Sequence, residues 1–230
     1  MLKFQKKEIG PRIQNQSDFV IWLHGLGDEG SSFLDFPAIM PLNDLRLTFY
    51  FPDAPIIPVT LNNGMMMRAW HDLADLGKEG YALVNKDTLE NASKKIIDLI
   101  SHLTEIHGSE SRFVLGGFSQ GGAISLYLSS QVLSCFNATG FFALSSYLID
   151  EDQFDGEILR KKHVPFFLGH GSYDTLVPLR EGEKNLEKIK PYVQIEENLI
   201  WNTYPLDHSI APQELSDLGE WLLWAFKEEI

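Results

Sequence analysis

Residues 112–123 read RFVLGGFSQGGA, and this stretch decides how the rest of the chain is understood. Arg112–Phe118 is a short, nearly continuous apolar run of the kind that suits a strand buried on both faces. A helix over Ala123–Val132 follows, entered through a glycine pair. Between them, Gly117, Ser119 and Gly121 have the spacing G-x-S-x-G. A serine on a tight strand-to-helix turn projects its hydroxyl above the sheet, and flanking glycines carry no side chain to collide with the neighbouring strand or helix. The helix also aims its first N–H groups at the place where negative charge would develop.

Outward from this turn, strand and helix signals alternate. Apolar runs at Phe19–Leu23, Leu45–Phe51, Gly140–Ser146 and Val164–Leu168 predict further strands, and Val193–Tyr204 contains a last one. Asp87, with Glu90 three residues on, has the spacing of a capping box. Leu89, Ala92, Ile96, Ile100 and Leu103 then mark one helical face, closed by Gly108. Pro178–Lys190 reads as another helix. Pro212 opens a last one, with Leu215, Leu218, Leu222 and Phe226 on one side. Alternation of this kind predicts an open, mostly parallel α/β sheet with helices on both faces, and sites at the carboxyl ends of its strands. The polar stretch 155–163 is expected to be a connecting segment.

The 230 residues are 44% hydrophobic and 22% charged, and no linker or charge block divides them, so one domain spanning 1–230 is expected. A net charge of −13 is poorly suited to nucleic acid or anionic lipid, whose recognition relies on clustered Lys and Arg. The lone Cys135 excludes an intrachain disulfide and a cysteine-based zinc site. No run reaches the roughly 18 apolar residues of a membrane span, and the N-terminus lacks the apolar centre of a signal peptide. A cytoplasmic enzyme fits these limits.

A serine hydroxyl needs a base to take its proton and an acid to orient the base. With a strand–serine–helix turn, the chain order is serine, acid, histidine. Of the three histidines after Ser119, His163 precedes a strand, His170 ends one, and His208 lies after the last strand, where the base belongs. Asp174, just beyond the fifth apolar run, leads as the acid over Asp150, Asp152, Asp155 and Asp207. One oxyanion donor is expected at the backbone N–H of Gln120. The other is expected from the loop LHGLGD, 23–28.

Taken together, LHGLGD at 23–28, FPDAPIIPVTLNNGMMMRAWHDL at 51–73, GGFSQGGA at 116–123, HGSYDTLVPL at 170–179 and HSIAPQEL at 208–215 resemble the carboxylesterase and acyl-protein thioesterase family. The resemblance runs from about residue 19 to 225. It implies a lidless α/β-hydrolase, a triad of Ser119, Asp174 and His208, and an oxyanion hole from the N–H groups of Leu26 and Gln120. It implies no cofactor or metal, and hydrolysis of acyl esters, in some members of lysophospholipids or of acyl thioesters on proteins. Two positions depart from the family pattern. Asp207 stands where glycine usually precedes the histidine, and would either raise the pKa of the base or point to solvent. His71 stands where Phe or Tyr is usual, altering pocket polarity or merely the surface.

The expected activity is therefore serine hydrolysis of short to medium acyl esters, and of thioesters, with a small acyl ester or an acylated protein as substrate. A lysophospholipase or a protein depalmitoylase is the alternative. A catalytically silent binding module is disfavoured because serine, acid and base are all present. Prolines 52, 55 and 58 predict a long irregular loop over 52–70. Its Met65 and Met66, with Trp70, Leu73 and Tyr147, are the expected acyl-binding residues. Nothing in the sequence fixes the oligomeric state.

Overall fold

The computed structural model describes residues 1–10, 18–42, 45–76, 82–108, 110–150, 152–193 and 198–227. Its strands β1 (Phe4–Ile9), β2 (Phe19–Leu23), β3 (Leu47–Pro52), β4 (Phe113–Phe118), β5 (Ala138–Leu144), β6 (Phe166–Gly171) and β7 (Leu199–Tyr204) form one sheet. Their order is β1-β3-β2-β4-β5-β6-β7. Within this sheet, among the described residues, only the β1–β3 pair is antiparallel. The helices are α1 (Lys86–His107), α2 (Gln120–Cys135), α3 (Gly156–Lys162), α4 (Leu179–Ile189) and α5 (Pro212–Lys227).

Alternate residues of the buried strands feed two separate cores, as the two-residue period of a strand requires. Phe19, Ile21, Phe113, Leu115, Phe141 and Phe166 join Leu89, Ile96 and Leu103 of α1 and Ile124 and Val132 of α2 on one face. Val20, Trp22, Val114, Phe142 and Phe167 meet Leu218, Trp221 and Leu222 of α5 on the other. Burying a side chain of this size contributes about 1.5–3 kcal/mol. The strands read as unbroken apolar runs because both of their faces are covered.

Several boundaries differ from the sequence reading. Strand β1 was not anticipated, because Lys6, Lys7 and Glu8 break its apolar character. Those charges suit an edge strand, where they discourage pairing with another chain. Helix α1 is capped by Asn85, whose side chain accepts from Thr88 N, and Asp87 lies inside its first turn. The stretch 155–163 is no mere connector. It holds α3, with Asp155 accepting from the N–H groups of Glu157 and Ile158. Part of the predicted run 193–204 (194–197) lies outside the described residues.

The segment 52–70 is not irregular. Ile56–Val59 and Met65–Arg68 pair as an antiparallel hairpin, with Pro58 opposite Met66. A two-stranded ribbon has only edges, so a proline can direct its missing N–H away from the partner. The signal that could have found it is Asn63-Gly64, both at positive φ (56° and 77°) in the hairpin's turn.

Below the site, Glu214 of α5 is fully buried, its Oε1 only 2.3 Å from where a side chain on Gly169 would begin. Burial pushes its carboxyl up to about 8 from an ordinary 4.5, with the Ala211 amide opposing and the Asp217 charge reinforcing. The folded chain thus holds a proton that the unfolded chain releases. Its contribution to stability is full below about pH 4.5 and is lost as the pH rises through about 8. Glu214→Gln should leave the melting temperature nearly unchanged at pH 5 but raise it by roughly 3–8 °C at pH 8.5. Thermal denaturation at the two pH values checks this, and an equal effect at both would refute it.

Candidate active site

The turn between β4 and α2 places Ser119 in a backbone conformation that non-glycine residues rarely adopt, φ 54° and ψ −117°. Its N–H is tied to Leu144 O at 2.8 Å. Helix α2 starts at Gln120, earlier than the glycine pair suggested, because the serine itself is its N-cap. Added Cβ atoms on Gly117 and Gly121 would lie 2.2 and 2.1 Å from Leu23 O. The turn can therefore cross the end of β2 only with glycine at both places.

Two loops from distant parts of the chain complete the arrangement. His208, after β7, has Nε2 2.9 Å from Ser119 Oγ and Nδ1 2.6 Å from Asp174 Oδ2. Asp174, after β6, also accepts from the N–H groups of Leu176 and Val177 at 2.9 and 2.8 Å. Burial alone would raise the Asp174 carboxyl, but the His208 hydrogen bond and the Val177 amide outweigh it and hold the group below its ordinary range. An ionised carboxylate only accepts, so Nδ1 of His208 carries its proton and Nε2 is free to receive the serine's.

The rivals have other roles. Asp207 is exposed and accepts from Ser209 Oγ, so of its two readings the solvent-facing one holds. Asp155 caps α3, and Asp150 accepts from Asp152 N. His163 ends α3 at φ 50°, and His170 is buried with its Nε2 donating to Val177 O at 2.9 Å.

The loop carrying Leu26 is held from several sides. His24 Nδ1 donates to Gly25 O and its Nε2 accepts from Ala54 N. Trp70 Nε1 donates to His24 O, and Gly27 N donates to Arg68 O. The turn is closed by Asp28 N on Gly25 O, a bond that leaves the Leu26 N–H out. The 56–68 hairpin is thus the strut of this loop.

A cavity of about 320 Å³ opens beside Ser119 and His208. Its apolar lining is Leu26, Leu61, Leu73, Leu76, Phe118, Tyr147, Leu176 and Val177, with Asp28, Asn62 and Gln120 as polar members. Leu73 and Tyr147, two of the expected acyl-binding residues, are in this lining. Met65 and Met66 are not in this lining, and their side chains are 62% and 61% exposed. Trp70 is wholly buried behind the site rather than in the cavity. Leu61, Leu76 and Leu176 were missed, since an isolated leucine in a loop carries no periodic signal. A larger, more polar cavity of about 550 Å³, bounded by Arg112, Thr139 and Lys162, lies by the amino ends of the strands, away from Ser119. Among the described residues no His, Cys, Asp and Glu group could hold a metal ion.

This fold, with a serine, histidine and carboxylate in one hydrogen-bonded row at the carboxyl ends of the strands, defines a serine hydrolase of the α/β-hydrolase class. The chain belongs to the phospholipase/carboxylesterase family, whose model matches residues 5–224. It is similar to acyl-protein thioesterase 1 of Emericella nidulans, 36% identical over 93% of this chain and 92% of that protein. The Aspergillus fumigatus acyl-protein thioesterase 1 is also 36% identical, over 93% of this chain and 90% of its own. Among solved structures, Zea mays acyl-protein thioesterase 2 superposes with a TM-score of 0.77 at 23% identity, over 96% of this chain and 98% of that one.

If Asp174 orients His208, Asp174→Asn should lower kcat by around 10⁴-fold through the wrong histidine tautomer. Asp150→Asn, Asp152→Asn and Asp207→Asn should each cost less than about 10-fold. Steady-state rates on a nitrophenyl ester decide between them, and a large loss at any of the latter three would displace Asp174.

Proposed function

We propose that Ser119 is the nucleophile, His208 the general base and acid, and Asp174 its orienting carboxylate, in the hydrolysis of acyl esters and acyl thioesters. The observation that carries this is the hydrogen-bonded row from Ser119 Oγ through His208 to Asp174 at the mouth of the leucine-lined cavity.

In the first half-reaction, Ser119 Oγ attacks the acyl carbon while its proton passes to His208 Nε2. The tetrahedral intermediate's oxyanion is held by the backbone N–H groups of Leu26 and Gln120, donors fixed before the charge appears. Collapse breaks the bond to the alcohol or thiol, which leaves with the proton from His208. Water then loses a proton to His208 and attacks the acyl-serine, and the second collapse returns the proton to Ser119. Asp174, held ionised, stabilises each transient imidazolium. No step calls for a metal or cofactor.

The substrate class we favour is an acyl chain on a thiol or alcohol, including acyl groups carried by proteins, in keeping with the names of the relatives. A lysophospholipid presents the same ester, but a net charge of −13 opposes approach to an anionic bilayer. Among the described residues no helix is long and apolar enough to cross a membrane. A cytoplasmic location remains part of the proposal, testable by fractionation of expressing cells.

Ser119→Ala should fold, lose fluorophosphonate labelling and fall at least 10³-fold in rate. Labelling that persists at another serine would defeat the assignment. The cavity lining predicts a second result. Each methylene buried contributes about 0.8 kcal/mol, so Leu73→Ser should lower kcat/KM more for octanoyl than for acetyl esters. The exposed pair Met65→Ser/Met66→Ser should change the two substrates alike. Equal losses at Leu73→Ser would place the acyl groove elsewhere.

A further inference from the structure

Behind the site lies a buried polar ring that the reaction itself does not use. Gln120 faces the segment around Trp70 with its side-chain amide engaged at both ends. Its Oε1 accepts from Trp70 N at 2.7 Å and its Nε2 donates to His71 O at 2.9 Å. The imidazole of the same His71 reaches across to the turn after β5, where its Nε2 is 3.1 Å from the Tyr147 hydroxyl. His71 and Gln120 are buried, and Tyr147 is nearly so while still lining the cavity. The surface reading of His71 is therefore set aside.

Three pieces of chain far apart in sequence are thus tied at one point: the 69–72 segment, the first turn of α2, and the turn after β5. Each bond is buried, and an unmade hydrogen bond at a buried group costs about 1–3 kcal/mol. Burial pushes the His71 imidazole down to about 3, so near neutral pH it is uncharged and acts as a fixed dipole.

We propose that the His71–Tyr147 hydrogen bond is a positioning device for the oxyanion donor, keeping the Gln120 side chain on Trp70 and His71 and so the Gln120 N–H on its target. This rests on the reading of Ser119 as nucleophile and Gln120 N–H as donor. The reason is that His71 stands at the middle of the link. Its carbonyl accepts from Gln120 Nε2 while its imidazole is held by the Tyr147 hydroxyl of the turn after β5. Without that second bond the 69–72 segment loses its tie to the turn, and the His71 carbonyl is free to shift. The Gln120 side chain, and the first residue of α2 with it, then shifts too. The N–H there must meet an oxygen that carries charge only in the transition state, and a displacement near 1 Å can cost about 100-fold. His71 and Tyr147 contact no reacting atom in this scheme and are positioning residues.

The pair makes a test in which packing and positioning give opposite answers. His71→Phe and Tyr147→Phe should each lower kcat on a nitrophenyl butyrate ester by about 10-fold or more, with KM within about 2-fold. His71→Gln, whose amide can still reach the hydroxyl, should recover most of the loss. The double variant His71→Phe/Tyr147→Phe removes both buried polar groups, so its melting temperature should return towards the parent's while kcat stays low. If the double variant regains kcat together with stability, the pair is only packing and the inference is overturned. A rise in KM at unchanged kcat in the single variants overturns it as well. Should the single variants fold poorly, the double variant and His71→Gln decide. Turnover remaining in Ser119→Ala would instead overturn the reading of the site. An inert Ser119→Ala beside a fully active His71→Phe would defeat this inference alone.

Discussion

The crossing of the Ser119 turn over the end of β2 is the constraint from which the rest of the site follows. Leu23 O occupies the space that a Cβ on either Gly117 or Gly121 would need. With both side chains absent, α2 can begin directly on the serine and pack over the sheet. The serine accepts a backbone angle of φ 54°, a strain of order 1–3 kcal/mol. That strain is tolerable because the two apolar cores fix β2, β4 and α2 independently of it. The same crossing brings the start of the 23–28 loop against the first turn of α2, since a Cβ on Gly121 would meet both Leu23 O and His24 O.

The other half of the site is built by loops rather than by a strained turn. Asp174 is locked by two amides of its own loop, and His208 is held between that carboxylate and the serine. The divided construction has a physical logic. Ser119, the proposed nucleophile, sits on an element that cannot move without unpacking the sheet, while His208, the proposed base, lies on a loop after β7 and is placed by hydrogen bonds. Proton transfer requires heavy atoms within about 2.6–3.2 Å, and the Ser119 Oγ to His208 Nε2 distance of 2.9 Å meets that requirement without further rearrangement, while the 2.6 Å bond to Asp174 fixes the ring.

The parts of this arrangement legible in sequence are those set by periodicity and steric exclusion. Doubly covered strands show as apolar runs, the elbow shows as two glycines around a serine, and a fixed chain order narrows the acid and base. The hairpin at 56–68 was illegible as read, because prolines were weighed as breakers while Asn63-Gly64, the turn signal, was not. The acyl-binding expectation followed that error. An irregular loop would have been free to lay Met65 and Met66 into the cavity, whereas the ribbon turns them outward and leaves Leu61, Leu73 and Leu76 to line it. Strand β1 escaped notice because an edge strand needs only one covered side, and charges on the other mask its pattern. His71 was visible as a departure, but which of its two readings held depended on burial, a tertiary property.

The histidines around the site divide by function along the same line. His24, His71 and His170 are each buried, and burial lowers the pKa of each. Each uses a ring nitrogen as a fastener: His24 on Gly25 O and Ala54 N, His71 on Tyr147, His170 on Val177 O. A neutral imidazole suits that task, since it can donate from one nitrogen and accept at the other without bringing a charge into a dry interior. The consequence is electrostatic. Burial disfavours the charged form of all three, which keeps positive charge that would repel an imidazolium on His208 away from the site. On the proposed mechanism, the charge that develops during acyl transfer is then confined to the oxyanion and the His208–Asp174 pair. On that proposal, support by uncharged hydrogen bonds and catalysis by one charged pair are two sides of the same design.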